Sequence, residues 1–118
     1  MAAIANLRID QGATFSSDVT VTDTNGDAFD LTGYTAEAAM ALGYANTRTR
    51  TTITTTIADD PTTGVITLSL TADQTHELDA PARYVYDVEI TQTSDSTITR
   101  VIEGIITVSP HVRHTTHS

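Results

Sequence analysis

Three histidines, His111, His114 and His117, recur at every third position near the end of the sequence. Three imidazoles suffice to ligate a transition metal, and symmetry-related copies could pool several such tails. The segment has no apolar pattern that would fix a ligand geometry, so a loose or partner-bound tail is expected rather than a metal site. Asp23, Asn25 and Asp27 alternate like the start of a calcium loop. Such a loop needs Gly at its sixth position and Glu at its twelfth, whereas here Gly26 stands at the fourth and Tyr34 at the twelfth. Asn25-Gly26 reads instead as a hairpin turn. Asp59 and Asp60 sit beside Pro61 as acidic turn residues do. His76-Glu77 opens like a zinc-protease motif, but Leu78-Asp79-Ala80 supplies no second His. Asp87 and Glu89 would lie on one strand face about 7 Å apart, which suits paired glycosidase carboxylates. Arg83 shares that face, and a surface charge cluster is the expectation.

Nucleophile elbow, phosphate loop and dinucleotide fingerprint are all absent from the sequence. With no Cys there is no thiolate metal site, disulfide or cysteine nucleophile. No catalytic residue, cofactor or metal is assigned, and the protein is expected to be no enzyme. The formal net charge of -9, from 15 acidic and 6 basic residues, argues against nucleic acid and anionic membrane as partners. No apolar run approaches the ~20 residues of a spanning helix, and no signal peptide is evident.

The elements that would hold these residues are strands. Of 118 residues, 25 are Thr, a β-branched type that fits a half-buried pleated surface. The length corresponds to one domain. Residues 4–9 read as a short strand or an arm. Residues 14–22 alternate, with Phe15, Val19 and Val21 on one face and Ser17 as the exception. Residues 34–42 have helical propensity in Ala and Glu, but Ala36, Ala38, Met40 and Leu42 share strand parity, and Gly33 and Gly43 bound the segment tightly. A strand is expected there, then a loop over 43–50. Further strands are expected over 51–58, with Ile53 and Ile57 inward, and over 65–70. Thr71-Ala72-Asp73-Gln74 fits a capping box opening one or two helical turns through Leu78. The last two strands span 82–92, with Tyr84 and Tyr86 in the core, and 97–108, with Ile98, Ile102, Ile106 and Val108 inward. Equal parity across that hairpin favours an odd-length loop such as Ser94-Asp95-Ser96. About seven antiparallel strands with regular turns, and one short helical turn at a crossover, predict an all-β fold, an immunoglobulin-like β-sandwich. Residues 1–110 would form the single domain, with an N-terminal arm (1–8) and a polar tail (111–118).

Ile9-Asp10-Gln11-Gly12-Ala13-Thr14-Phe15, Val19-Thr20-Val21-Thr22-Asp23 and Phe29-Asp30-Leu31-Thr32-Gly33-Tyr34 resemble the opening of small immunoglobulin-like phage structural domains. The N-terminal domain of phage baseplate upper proteins is the nearest named family. Thr63-Gly64-Val65-Ile66-Thr67-Leu68-Ser69-Leu70-Thr71, Tyr84-Val85-Tyr86-Asp87-Val88-Glu89-Ile90 and Val101-Ile102-Glu103-Gly104-Ile105-Ile106-Thr107-Val108 extend the resemblance to residues 7–110. The order and spacing of several weak motifs carry it. The resemblance implies a virion structural protein and transfers no catalytic residue. Baseplate upper proteins continue into further domains, and this sequence does not. A free-standing copy is therefore expected to be an accessory protein, a decoration or cement protein on a capsid surface. The alternatives are a neck, tail or baseplate component, or a receptor- or carbohydrate-binding module using exposed Tyr34 and Tyr44.

The expected partners are other virion proteins, capsid or tail subunits, with homo-oligomers formed within the particle. Expected contacts are Ala2, Ile4 and Arg8 in the arm, Arg48 and Arg50 in the 43–50 loop, and His111, Arg113 and His114 in the tail. The two loop arginines are paired positives on an acidic chain and could meet carboxylates on a partner.

Overall fold

The computed structural model describes residues 3–42 and 50–110. Among these, eight strands appear in chain order: β1 (Ala3–Ile4), β2 (Leu7–Asp10), β3 (Phe15–Thr20), β4 (Tyr34–Ala41), β5 (Thr51–Ile57), β6 (Val65–Leu70), β7 (Ala82–Gln92) and β8 (Ile98–Ser109). A short helix, α1 (Ala72–His76), links β6 to β7. One sheet holds β4, β7 and β8 as antiparallel neighbours, with β1 and β2 added parallel to β8. The other pairs β3 with β6 and β6 with β5. β5 belongs to both, because Thr51–Ile53 pair with β4 and Thr54–Ile57 with β6. The fold is an immunoglobulin-like β-sandwich.

The core lies between the inner faces and follows the alternation in the sequence. Phe15 and Val19 of β3, Ala38 and Met40 of β4, Ile66, Leu68 and Leu70 of β6, Tyr84 to Ile90 at alternate positions of β7, and Ile102, Ile106 and Val108 of β8 are buried. Residues 34–41 are a strand despite their helical propensity, since only period-two spacing places Ala38 and Met40 together in the core. Leu42, expected inward, lies just past β4 and is 41% exposed.

The turns are chemically explicit. Asp23 Oδ1 accepts from the Asn25 and Asp27 amides, Gly26 N–H donates to Asp23 O, and Gly26 takes φ 87°. This is a three-residue loop closing into a left-handed residue, rather than the two-residue turn that Asn-Gly signals most strongly. The capping box forms as expected: Thr71 Oγ1 accepts from Gln74 N–H while Gln74 Oε1 accepts from Thr71 N–H. α1 stops at His76 rather than Leu78, although Leu78 is buried. The buried Tyr84 hydroxyl accepts from Asp79 N–H at 2.8 Å, tying the α1–β7 corner to the core.

The β7–β8 hairpin differs from expectation in an instructive way. Gln92 N–H donates to Thr97 O, so the loop is the four residues 93–96 and not an odd-length one. Pairing near the turn therefore joins residues of unequal parity, such as Thr91 with Ile98. Val101 is then an extra residue between Glu89↔Arg100 and Val88↔Ile102, a β-bulge that restores equal parity along the rest of the hairpin. The cost falls on Ile98, expected inward, which is turned outward and is 62% exposed. The same slip brings Arg100 out of the inward parity of Ile102.

Candidate interaction surface

Residues 3–10 are edge strands rather than a free arm. Ala3 and Ile4 pair with Ile102 and Glu103, and residues 7–10 pair with 106–109. Between them the chain kinks inward at Ala5. A Cβ on Gly104 would lie 2.3 Å from Ala5 O, so only glycine lets the two backbones approach there. The Tyr86 hydroxyl donates to Ala5 O, Ala5 N–H donates to Glu103 O, and Asn6 Oδ1 accepts from Ile105 N–H. Burial of the Tyr86 ring pushes its phenol up to about 12 from the ordinary 10.0.

This construction holds Ile4 beside Glu103 on the outer face, 74% exposed. Two positions along β8, Ile105 also points outward, 40% exposed and opposite Val85, which in turn faces Ala41. An apolar row thus crosses β8, β7 and β4. Next to it lies an acidic array. Asp87 is directly opposite Glu103, and Glu37 is directly opposite Glu89. Like charges at facing positions destabilise a sheet. Arg100 offsets part of this, reaching both Asp87 and Glu103 at 3.5 Å. Arg83 lies on this same face, as expected, opposite Thr107, and Arg100 joins it there as a second basic residue. The role of Arg100 depends on the bulge, which hydrophobic periodicity does not announce.

Of the expected contact residues, Ile4 and Arg8 come together along one edge of this face, Arg8 pairing with Asp10 at 3.7 Å. Arg50 is exposed at the start of β5, on the far side of β8, β7 and β4, about 19 Å away by strand spacing. The structure therefore does not join Arg50 to the edge residues. Ala2, Arg48, His111, Arg113 and His114 lie outside the described residues, as do Tyr44 and His117. Tyr34 is half-buried and meets Phe29 edge-to-face at 5.4 Å, which makes it part of the packing rather than an open platform. Among the described residues, no three His, Asp or Glu side chains are grouped closely enough to hold a metal ion.

No family model matches the chain, and no curated protein matches it. Among solved structures it is similar to a chain in the crystal structure of ICOS in complex with ICOS-L and an anti ICOS-L VNAR domain. That likeness has 10% identity and a TM-score of 0.43, and covers 93% of this chain and 56% of that one. It is also similar to the crystal structure of the Lin-41 filamin domain, at 14% identity and a TM-score of 0.38, covering 80% of this chain and 81% of that one.

Proposed function

We propose that this protein is a phage virion accessory protein that decorates a capsid surface by protein–protein contact and performs no catalysis. The sequence resemblance supplies the virion setting. The observation that supports binding is the outer face of the β4–β7–β8 sheet. There Ile4 and Ile105 are exposed beside two directly opposed pairs of carboxylates. A partner surface carrying arginine or lysine around an apolar centre would cover the aliphatic row and relieve the like-charge repulsion together. Each copy would contribute modestly, and particle symmetry would multiply the effect.

The test is mass photometry of the purified protein mixed with virus particles lacking it. Saturable binding at a fixed copy number per particle is expected. Ile105→Arg, which places a cation in the apolar row of an exposed face, should abolish it while leaving the melting temperature within a few degrees. A stable protein that leaves the particles bare would overturn the capsid assignment and favour a tail or receptor-binding role.

A further inference from the structure

We propose that the free edge of β3 is a strand-accepting site, filled by an extended segment of a partner protein that alternates aliphatic residues with neutral or cationic ones. This rests on the edge itself and does not depend on the virion reading.

β3 is the terminal strand of its sheet, and among the described residues no strand pairs with its outer side. Val21 N–H donates to Gly64 O on the β6 side. Amide direction alternates along a strand, so Ser16, Asp18 and Thr20 direct their backbone groups to the open side. Sheet edges are normally blunted by charged side chains, proline, bulges or short strands. β3 carries one charge, Asp18, and neither proline nor bulge: its register with β6 is unbroken over all six residues. Its inner face also has a gap. Phe15 and Val19 are buried, but the residue between them is the small Ser17. A groove of about 230 Å³ opens here between the facing edges of the two sheets, lined by Leu7, Arg8, Asp10, Ala13, Phe15 and Ser17 among others.

A strand laid on this edge would donate to and accept from Ser16, Asp18 and Thr20. Every second side chain would point into the groove, where Ser17 and Ala13 leave room for an aliphatic group. The intervening side chains would lie over the outer face of this sheet and pass Asp18, which favours a cation. A second folded copy fits poorly: its own β3 is attached to a sheet and cannot enter the cleft, and each copy carries a charge of -9.

The experiment uses the ¹⁵N-labelled full chain and a blocked six-residue peptide alternating valine with arginine and threonine. The control is a peptide of the same composition with its valines consecutive. Saturable shifts are expected at the Ser16, Asp18 and Thr20 amides, with their hydrogen exchange slowed about tenfold or more. The control peptide should leave these amides unchanged. Ser16→Pro removes one outward N–H without touching the β6 ladder, and should weaken binding about tenfold with the fold retained. Ser17→Leu fills the groove from within and should also weaken it. Unshifted amides at millimolar peptide, equal binding of the control, or wild-type affinity in both variants would overturn the proposal. Protection without peptide would also overturn it: concentration-dependent protection would assign the edge to a second copy, and concentration-independent protection to this chain's own residues, such as 111–118.

Discussion

The two edges of the sandwich are built on opposite principles. At one, the chain runs as two short strands with a kink between them, and the kink is fixed by a glycine, a phenol and an asparagine side chain. Arg8 and Asp10 add charge to that edge. At the other, β3 runs straight, has one charged residue, Asp18, and places Ser17 where its neighbours place core residues. Many specific contacts have been spent to close the first edge, and the second has been left as backbone. An edge strand left in that state pairs with other chains unless something covers it. The contrast therefore locates the adhesive backbone of this molecule at β3, and its adhesive side chains on the face beside β1.

Breaking the closed edge should have the largest effect. Gly104→Val forces side-chain carbons against the Ala5 carbonyl, a backbone atom with nowhere to go. Overpacking of this kind costs about 1–3 kcal/mol, and the upper end is expected where the backbone must move. Denaturant melts should show that loss, and exchange should accelerate first at residues 3–10. A smaller effect is expected where the two edges are joined. The connection from β2 to β3 is held by the fully buried Thr75 of α1, whose hydroxyl accepts from Gly12 N–H at 3.0 Å and donates to Ala13 O at 2.8 Å. Thr75→Val keeps the shape but leaves Gly12 N–H and Ala13 O without their hydroxyl partner, at about 2 kcal/mol. Both edges should loosen together in that variant, which exchange on β2 and β3 amides would report.

Tyr86→Phe sharpens the comparison further by removing one hydrogen bond from the closed edge alone. The expected loss is about 1 kcal/mol. The phenol also gives that edge an alkaline limb. Burial raises the Tyr86 pKa from 10.0 to about 12, so the unfolded chain loses this proton first as pH rises. The stabilisation is complete below pH 10 and declines as pH rises from 10 toward 12. Tyr84, raised in the same direction by burial, contributes to the same limb. Stability against pH should therefore fall less steeply in Tyr86→Phe than in the native protein.

These features differ in how far the sequence discloses them. Alternation placed nearly every strand, and the capping box at Thr71 was readable because its signature is local. The strand over 34–41 was legible only through parity, since its local propensity favours helix. What could not be read was register. A four-residue loop and a bulge at Val101 together preserve the inner face of most of β8 while turning Ile98 and Arg100 outward. Two departures that compensate each other leave almost no trace in periodicity. The kink at Ala5 was equally hidden, because Gly104 lies about one hundred residues along the chain from it and Tyr86 about eighty, and only the fold brings them to it.

Arg100 provides the smallest test and isolates the charged face from both edges. Its ion pairs with Asp87 and Glu103 are at least partly exposed on both sides, and such pairs contribute about 1 kcal/mol or less. Arg100→Ala should therefore shift the denaturation midpoint only slightly in ordinary buffer. The deletion also leaves Asp87 facing Glu103, and Glu89 facing Glu37, without a nearby cation from β8. Repulsion among exposed carboxylates is screened by salt, so the deficit should grow at low ionic strength and shrink toward zero at high ionic strength. A deficit unchanged by salt would mean that Arg100 acts by packing its aliphatic stem over the bulge. The acidic array would then not be the strained surface from which a cationic partner gains its affinity.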